Sequence, residues 1–238
     1  MDDKFYMERK EIGIGRWGKV FLWKEFAYKC FDKTYSIERI EHEIQIQSEI
    51  NKTNLPTVKF FRTDDPYVIK MEYIEGMTLA ERIRQESYNY GIEDLISLQK
   101  QVHGIHNISV PKLRDFAPLM LHDLPDAKKK NRALQYLYEI NETSNLCHLD
   151  LHPLNIMFSD GEYYIIDWMS ASLGNPVIDY ARTYMLLFEH TYKLSQKYMD
   201  LLSQDRTVDL TNIDKALYIA ALSCVNENNY ETFRQFLE

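Results

Sequence analysis

Residues 147–168 read CHLDLHPLNIMFSDGEYYIIDW, from Cys147 to Trp168. His148, Asp150 and His152 fall within five positions, Asn155 follows, and Asp167 closes the apolar run Tyr164-Ile165-Ile166. In this order the residues match the needs of phosphoryl transfer. Asn155 and Asp167 offer hard oxygens that suit magnesium, while Asp150, five residues before Asn155, can orient an attacking hydroxyl and accept its proton. Tyr163 to Asp167 predicts a strand with Asp167 at its end on an apolar base. A buried aspartate without a partner is costly, so a bound ion would account for it. Two other readings use the same letters. His148, Asp150 and His152 suit zinc or iron as ligands, or they are hydrogen-bonded loop residues with no ligand.

Upstream, Ile12 to Val20 reads IGIGRWGKV, a GxGxxG run through Gly13, Gly15 and Gly18. Glycine leaves room for backbone N–H groups to approach phosphates, in dinucleotide folds and in hairpin lids alike. A dinucleotide fold needs the run to open a helix; here Val20-Phe21-Leu22-Trp23 reads as a second strand, which favours a hairpin. In Phe26-Ala27-Tyr28-Lys29-Cys30-Phe31, alternation puts Lys29 beside Ala27 and Phe31 on one face. A lysine there, just after a glycine loop, suits nucleotide phosphates. Glu43 in the following helix is expected to pair with it, because Ile44 and Ile50 turn that side inward; Glu38, Glu41 and Glu49 are rival carboxylates.

Working outward, residues 5–35 alternate as antiparallel strands, and Ser36 caps a helix to Ile50 that ends before Pro56. Val58–Phe61 and Tyr67–Tyr73 predict two more strands, joined by the turn Thr63-Asp64-Asp65-Pro66. After Gly76 the pattern turns helical over Leu79–Gln85, Ile92–His106, Ala133–Glu142, Asp179–Glu189 and most of 191–237. Lys128, Lys129, Lys130 and Arg132 precede the third of these helices as a solvated basic run. The pattern is that of an α+β protein with a sheet-rich N-terminal lobe, a hinge near Met71 to Gly76, and a larger helical lobe.

In order and over nearly the whole chain, the loop Gly13-Gly15-Gly18, Lys29, Glu43, the hinge Met71-Glu72-Tyr73-Ile74-Glu75-Gly76, His148 to Asn155 and Ile166-Asp167-Trp168 resemble the aminoglycoside phosphotransferase and choline kinase superfamily. These are small-molecule kinases with the protein-kinase-like fold. The resemblance implies a bilobal α+β fold, with an antiparallel-sheet nucleotide-binding lobe over residues 1–73 and a mainly helical catalytic and acceptor-binding lobe over 74–238. It implies ATP and Mg2+ as cofactors, Asp150 as catalytic base, Asn155 and Asp167 as magnesium ligands, and adenine bound by hinge backbone at Glu72 and Ile74. The acceptor is then a hydroxyl of a small molecule.

His152 fits the small-molecule branch, since serine/threonine kinases usually carry lysine there. Asp167-Trp168-Met169 replaces the protein-kinase DFG, and no APE-like segment follows. The segment Gly174 to Thr183 resembles the one whose aspartate braces the catalytic loop, which gives Asp179 a structural role with Arg182 as its ion-pair partner. The chain departs from many relatives at Leu149, where they have glycine. Glu189, His190 and Tyr192 are conceivable acceptor contacts. A nucleotide-binding pseudokinase and a protein kinase are the alternative functions.

Composition sets outer bounds. The chain has 238 residues, 45% hydrophobic and 27% charged, enough for two small lobes with their own core. A net charge of −8 disfavours nucleic acid and, with 13% aromatic residues, suits a cationic acceptor such as an aminoglycoside or choline-like amine. The three cysteines have no ligand or disulfide spacing, as expected of a cytoplasmic protein. No run approaches the ~18 apolar residues of a membrane span, so a soluble protein without a membrane partner is expected. Oligomeric state is not legible.

Overall fold

A computed structural model describes residues 3–15, 17–85, 88–115, 126–225 and 229–238. Arg16 of the glycine loop and residues 226–228 of the C-terminal helical stretch lie outside them. The chain divides into two compact units, Met1–Met77 with Ile156–Met169, and Thr78–Asn155 with Ser170–Glu238.

In the first unit, helix α1 (Asp3–Glu8) precedes strands β1 (Lys10–Gly15), β2 (Gly18–Trp23) and β3 (Phe26–Phe31). Helix α2 (Ile37–Ile50) and strands β4 (Phe60–Arg62) and β5 (Val68–Glu72) follow, and the five strands order as β1-β2-β3-β5-β4, the paired neighbours antiparallel. Lys29 pairs with Val20 on one side and Ile69 on the other, so it stands in the middle of the sheet. Phe31, Tyr35, Ile40 and Ile69 form one apolar cluster of this unit, and Phe5, Tyr28 and Val68 another. Alternation read residues 5–35 as strands. α1 interrupts that reading because Phe5 is fully buried against the rings of Trp23 and Tyr28, a tertiary contact that overrides local pattern.

Ser36 caps α2, its hydroxyl accepting from the Arg39 N–H at 3.3 Å. Ile40, Ile46 and Ile50 are buried, with Glu43 on the same inward side. Gln47 is buried too, and its Nε2 donates to the Val58 carbonyl at 2.7 Å and the Thr57 hydroxyl at 3.1 Å. That fastens the helix to the segment leading into β4.

Two strands from later in the chain belong to the first unit, β8 (Ile156–Ser159) and β9 (Glu162–Ile165), an antiparallel hairpin. Its turn is Asp160-Gly161, at φ 50° and 86°, the left-handed pair of a two-residue hairpin. Ile165 N–H donates to the Pro56 carbonyl at 2.8 Å, and the Trp168 indole N–H donates to Thr57 Oγ1 and the Ile165 carbonyl, each at 3.0 Å. β9 starts one residue before the predicted strand Tyr163–Asp167 and ends two residues before it, so Asp167 lies beyond its end in a left-handed conformation, φ 63°. The side chain is exposed, not buried.

The second unit carries α3 (Leu79–Gln85), α4 (Gly91–His103), α5 (Ala127–Glu139), α6 (Pro176–His190), α7 (Tyr192–Gln204), α8 (Ile213–Cys224) and α9 (Tyr230–Leu237). A short strand, β6 (Met77–Thr78), falls on the division between the units, and β7 (Asn145–Cys147) pairs antiparallel with β10 (Ser172–Gly174) around the quoted loop. Helix α5 begins six residues before the expected Ala133, because Asp126 Oδ1 caps it by accepting from the Lys128 and Lys129 N–H groups. The basic run is therefore the start of a helix. Among the described residues no helix is long and apolar enough to cross a membrane. The architecture is α+β, an antiparallel-sheet region followed by many helices.

Candidate active site

In the first unit the glycine loop is the turn of the β1–β2 hairpin, with Gly15 paired to Gly18. A Cβ at Gly18 would lie 2.1 Å from the Cys30 carbonyl oxygen, so only glycine lets this turn lie against β3. At Gly13 and Gly15 nothing comes nearer than 3.6 Å. The Trp17 carbonyl accepts from the Asp32 N–H at 2.9 Å and the Trp17 ring lies 5.4 Å from that of Tyr35.

Lys29 Nζ donates to Glu43 Oε1 at 2.6 Å, with the lysine side chain 26% exposed and the glutamate 3%. Burial works against the Lys29 ammonium, but the carboxylates of Glu43 and Asp167 outweigh it and hold its pKa above the ordinary lysine value. Burial pushes the Glu43 carboxyl up, and Lys29 offsets this only in part. Glu43 Oε2 is buried with no hydrogen-bond partner among the described residues. The rival glutamates are engaged elsewhere: Glu41 with Arg62 at 2.6 Å, Glu49 with Lys52 at 2.5 Å, and Glu38 with the Ser36 hydroxyl at 2.5 Å. Lys29, Glu43 and Asp167 thus share one electrostatic environment, with the ammonium as its positive centre.

At the hinge, Glu72 N–H donates to the Lys59 carbonyl at 3.0 Å, and its carboxylate accepts from the Lys59 N–H at 2.9 Å. Ile74 makes no backbone hydrogen bond to the described residues, so its peptide groups are available to a planar ring with donor and acceptor edges.

The second unit holds the HLDLHPLN loop. Asn155 closes a 3-10 turn (Pro153–Asn155), its N–H donating to the His152 carbonyl at 2.8 Å. Its Nδ2 donates to the Asp150 carbonyl at 2.9 Å and to Asp150 Oδ2 at 3.3 Å. The amide nitrogen is engaged, and Asn155 Oδ1 remains as an oxygen ligand for a hard cation. The Asp167 carboxylate accepts no hydrogen bond from the described residues and is exposed, so in each unit the donor set suits magnesium.

A buried polar network supports this loop. Asp179 Oδ1 accepts from the Leu149 N–H at 2.6 Å, while Oδ2 meets His103 Nε2 at 2.7 Å and Gln99 Nε2 at 3.1 Å. Burial works against the Asp179 carboxylate, but its hydrogen bond to His103, the His103 and His148 charges and the Gln99 amide prevail and hold its pKa below the ordinary aspartate value. Thr183 adds a bond from its hydroxyl to the Leu151 carbonyl at 2.8 Å, and Gln99 donates to that hydroxyl at 3.0 Å.

The expected Asp179–Arg182 ion pair does not form. Arg182 reaches instead to the loop, its Nη2 standing 3.7 Å from Asp150 Oδ1. The reason is helical: the two residues are one turn apart on α6 and both face the loop, so each takes a different part of it. His103 and Gln99 were not singled out in the sequence. Their signal is two polar residues four apart on the otherwise apolar stripe Ile92, Leu95, Ile96, Val102 of α4, which calls for a buried polar partner. Of the conceivable acceptor contacts, Glu189 accepts from Asn229 Nδ2 at 2.9 Å and the Tyr192 ring packs on Phe188 at 5.7 Å.

His103, Cys147 and Asp179 place ligand-type atoms within 4.8 Å of one another. Burial holds the Cys147 thiol well above its ordinary pKa, and Asp179 already bonds His103 directly, so this trio reads as packing around the network and not as a thiolate metal site.

Comparison with known proteins gives the chain its relatives. A probable serine/threonine-protein kinase, mkcC of Dictyostelium discoideum, is 26% identical over 181 residues, 69% of this chain and 16% of that protein. The chain thus spans a small part of that curated relative's length. The streptomycin–ATP ternary complex of aminoglycoside phosphotransferase APH(2")-IIa superposes with a TM-score of 0.62 at 16% identity, covering 100% of this chain and 96% of the other. Choline kinase LicA from Streptococcus pneumoniae gives a TM-score of 0.65 at 17% identity, with coverage of 98% and 95%. Both show a shared fold. The family model of the phosphotransferase enzyme family matches residues 19–199, from the second strand of the hairpin through the loop and into α7, and the chain belongs to that family.

Proposed function

We propose that the chain transfers the γ-phosphoryl group of ATP to a hydroxyl of a small molecule. Residues 1–73 act as the nucleotide-binding lobe in this reading, and residues 74–238 as the catalytic and acceptor-binding lobe. The observation that carries it is the loop: the Asp150 carboxylate is 31% exposed and held by Asn155 on one oxygen, with Arg182 near the other. That is a carboxylate fixed in place yet open to a substrate hydroxyl, which a general base requires.

Each residue then has one task. Backbone N–H groups around Gly13, Gly15 and Gly18 approach the phosphates, Lys29 contacts them, and Glu43 keeps the ammonium in place. Glu72 and Ile74 mark the backbone that takes adenine. Asp150 orients the acceptor hydroxyl and accepts its proton. Asn155 and Asp167 supply oxygen ligands for Mg2+, which when bound offsets the phosphate charge. Asp179 keeps the loop in shape.

One solved relative carries ATP with streptomycin, and another is a choline kinase, which supports a cationic acceptor, as does the net charge of −8. A second reading, transfer to a protein hydroxyl, draws on the match to the Dictyostelium protein kinase. His152, at the position where serine/threonine kinases carry lysine, favours the small molecule.

The test is Mg2+-dependent ATP consumption against aminoglycosides, choline, ethanolamine, sugars, hydroxy amino acids and a generic protein. One small-molecule class should stimulate turnover at least about tenfold over the acceptor-free rate, on the scale of kinase turnover. Stimulation by the protein alone would overturn the reading.

A further inference from the structure

We propose that Arg182 is a positioning residue for the phosphoryl-transfer loop: it holds the carbonyl side of Leu149, keeps that residue left-handed, and so aims Asp150. The functional consequence rests on the reading of Asp150 as the base; the conformational one does not.

Leu149 has φ 63°, a region that a leucine does not favour and in which the chain must be held by its surroundings. Both peptide groups around it are held from α6. Its N–H donates to Asp179 Oδ1 at 2.6 Å, and its carbonyl accepts from Arg182 Nε at 3.1 Å. Asp179 and Arg182 are one helical turn apart and act as the two jaws of a clamp on a single residue. Rotation of Leu149 out of the left-handed region would break at least one of these bonds and swing the next side chain, Asp150, away.

Arg182 is itself fixed from behind. Its Nη1 donates to Ser223 Oγ at 3.1 Å and to Cys224 Sγ at 2.7 Å, at the C-terminal end of α8, and the side chain is only 17% exposed. Burial pushes the Cys224 thiol up to about 11, so it faces the guanidinium as a neutral group and does not compete with Asp150 for its charge. The planar guanidinium thus spans three attachments at fixed angles: the Leu149 carbonyl, the α8 terminus and, at 3.7 Å, the Asp150 carboxylate. That last distance is too long for a hydrogen bond, so the Leu149 carbonyl carries the positional effect. A lysine has one ammonium on a flexible stem and cannot make the three together.

The experiment compares wild type with Arg182→Met, Arg182→Lys, Leu149→Gly and the double variant Leu149→Gly/Arg182→Met, each well below its own melting temperature. Amide hydrogen exchange is followed in a peptide spanning 147–155 and in a reference peptide within α7, and Mg-ATP hydrolysis with water as acceptor is measured alongside. Arg182→Met should speed exchange in the loop peptide at least about fivefold while leaving α7 unchanged, and lower kcat about tenfold with KM for ATP within twofold, a cost of the kind that small misplacements produce. Arg182→Lys should recover little of either. Leu149→Gly permits the left-handed conformation without the clamp, so adding Arg182→Met to it should change exchange and kcat by less than about threefold.

Unchanged loop exchange in Arg182→Met overturns the proposal, as does an equal Arg182→Met effect with and without Leu149→Gly, which would mark a general packing role. Exchange raised equally in α7 overturns it too. Asp150→Asn separates the two claims: if it turns over like wild type while the loop still responds to Arg182→Met, the base reading fails and the positioning role stands.

Discussion

Asp179 is fully buried, and both its oxygens are occupied by donors from α4 and from the loop. Its folded pKa lies below the ordinary value, so in the window between the two the unfolded chain binds a proton that the folded one does not. Stability therefore rises with pH through that window. The contribution is complete above the ordinary aspartate value and is lost as pH falls through the folded one. Asp179→Asn should cost about 1–3 kcal/mol near pH 7, the cost of leaving a buried polar group unsatisfied, because an amide offers one acceptor where the carboxylate serves the Leu149 N–H, Gln99 and His103. It should also flatten the acid side of the curve. Urea midpoints from neutral pH down to strongly acid pH check this: a variant whose midpoint falls as steeply as wild type below the ordinary aspartate pKa would show that other carboxylates carry the acid response. The family resemblance implied that Asp179 braces the loop, as its bond to the Leu149 N–H does, but not where Arg182 goes. One helical face is readable from spacing, whereas the choice between two partners on that face depends on tertiary distances.

The β1–β2 hairpin lets its glycines be told apart. Gly18→Ala would drive a methyl onto the Cys30 carbonyl, 2.1 Å away, and should cost about 1–3 kcal/mol of stability. Gly13→Ala meets nothing nearer than 3.7 Å and should leave the melting temperature nearly unchanged while weakening Mg-ATP binding, since its requirement is approach by phosphates. Thermal denaturation and titration with Mg-AMP-PNP separate the two; an unaffected nucleotide affinity in Gly13→Ala would remove that glycine from the phosphate loop. Strands β2 and β3 and helix α2 were legible in the sequence because alternation, the Ser36 cap and Ile40, Ile46 and Ile50 agree with the final packing. Helix α1 was not, since the contact of Phe5 with Trp23 and Tyr28 is invisible to local pattern. Strand β8 was missed although Asp160-Gly161 is a hairpin signal, because its four residues, Ile156–Ser159, follow a 3-10 turn directly and show little alternation of their own.

At the level of the full chain, the motifs were legible as an ordered set: glycine loop, lysine, glutamate, hinge, loop aspartate and asparagine, and a final aspartate. The family model, from residue 19 to 199, covers all of these but the glycine loop, whose last glycine is Gly18. The compact units are less legible, because Ile156–Met169 returns to the first unit after the chain has already entered the second. Buried polar pairs such as Gln99 and His103 carry no label in a sequence beyond their place on an apolar stripe.

The most direct measurement is phosphoryl transfer from γ-labelled ATP, with Mg2+, to the acceptor class that stimulates turnover, by wild type and by Asp150→Asn at matched folded concentration. The account expects label on the small-molecule hydroxyl and a rate about 10²–10⁴-fold lower in the variant, with Mg-ATP affinity within about threefold of wild type. Transfer by Asp150→Asn at the wild-type rate would contradict it.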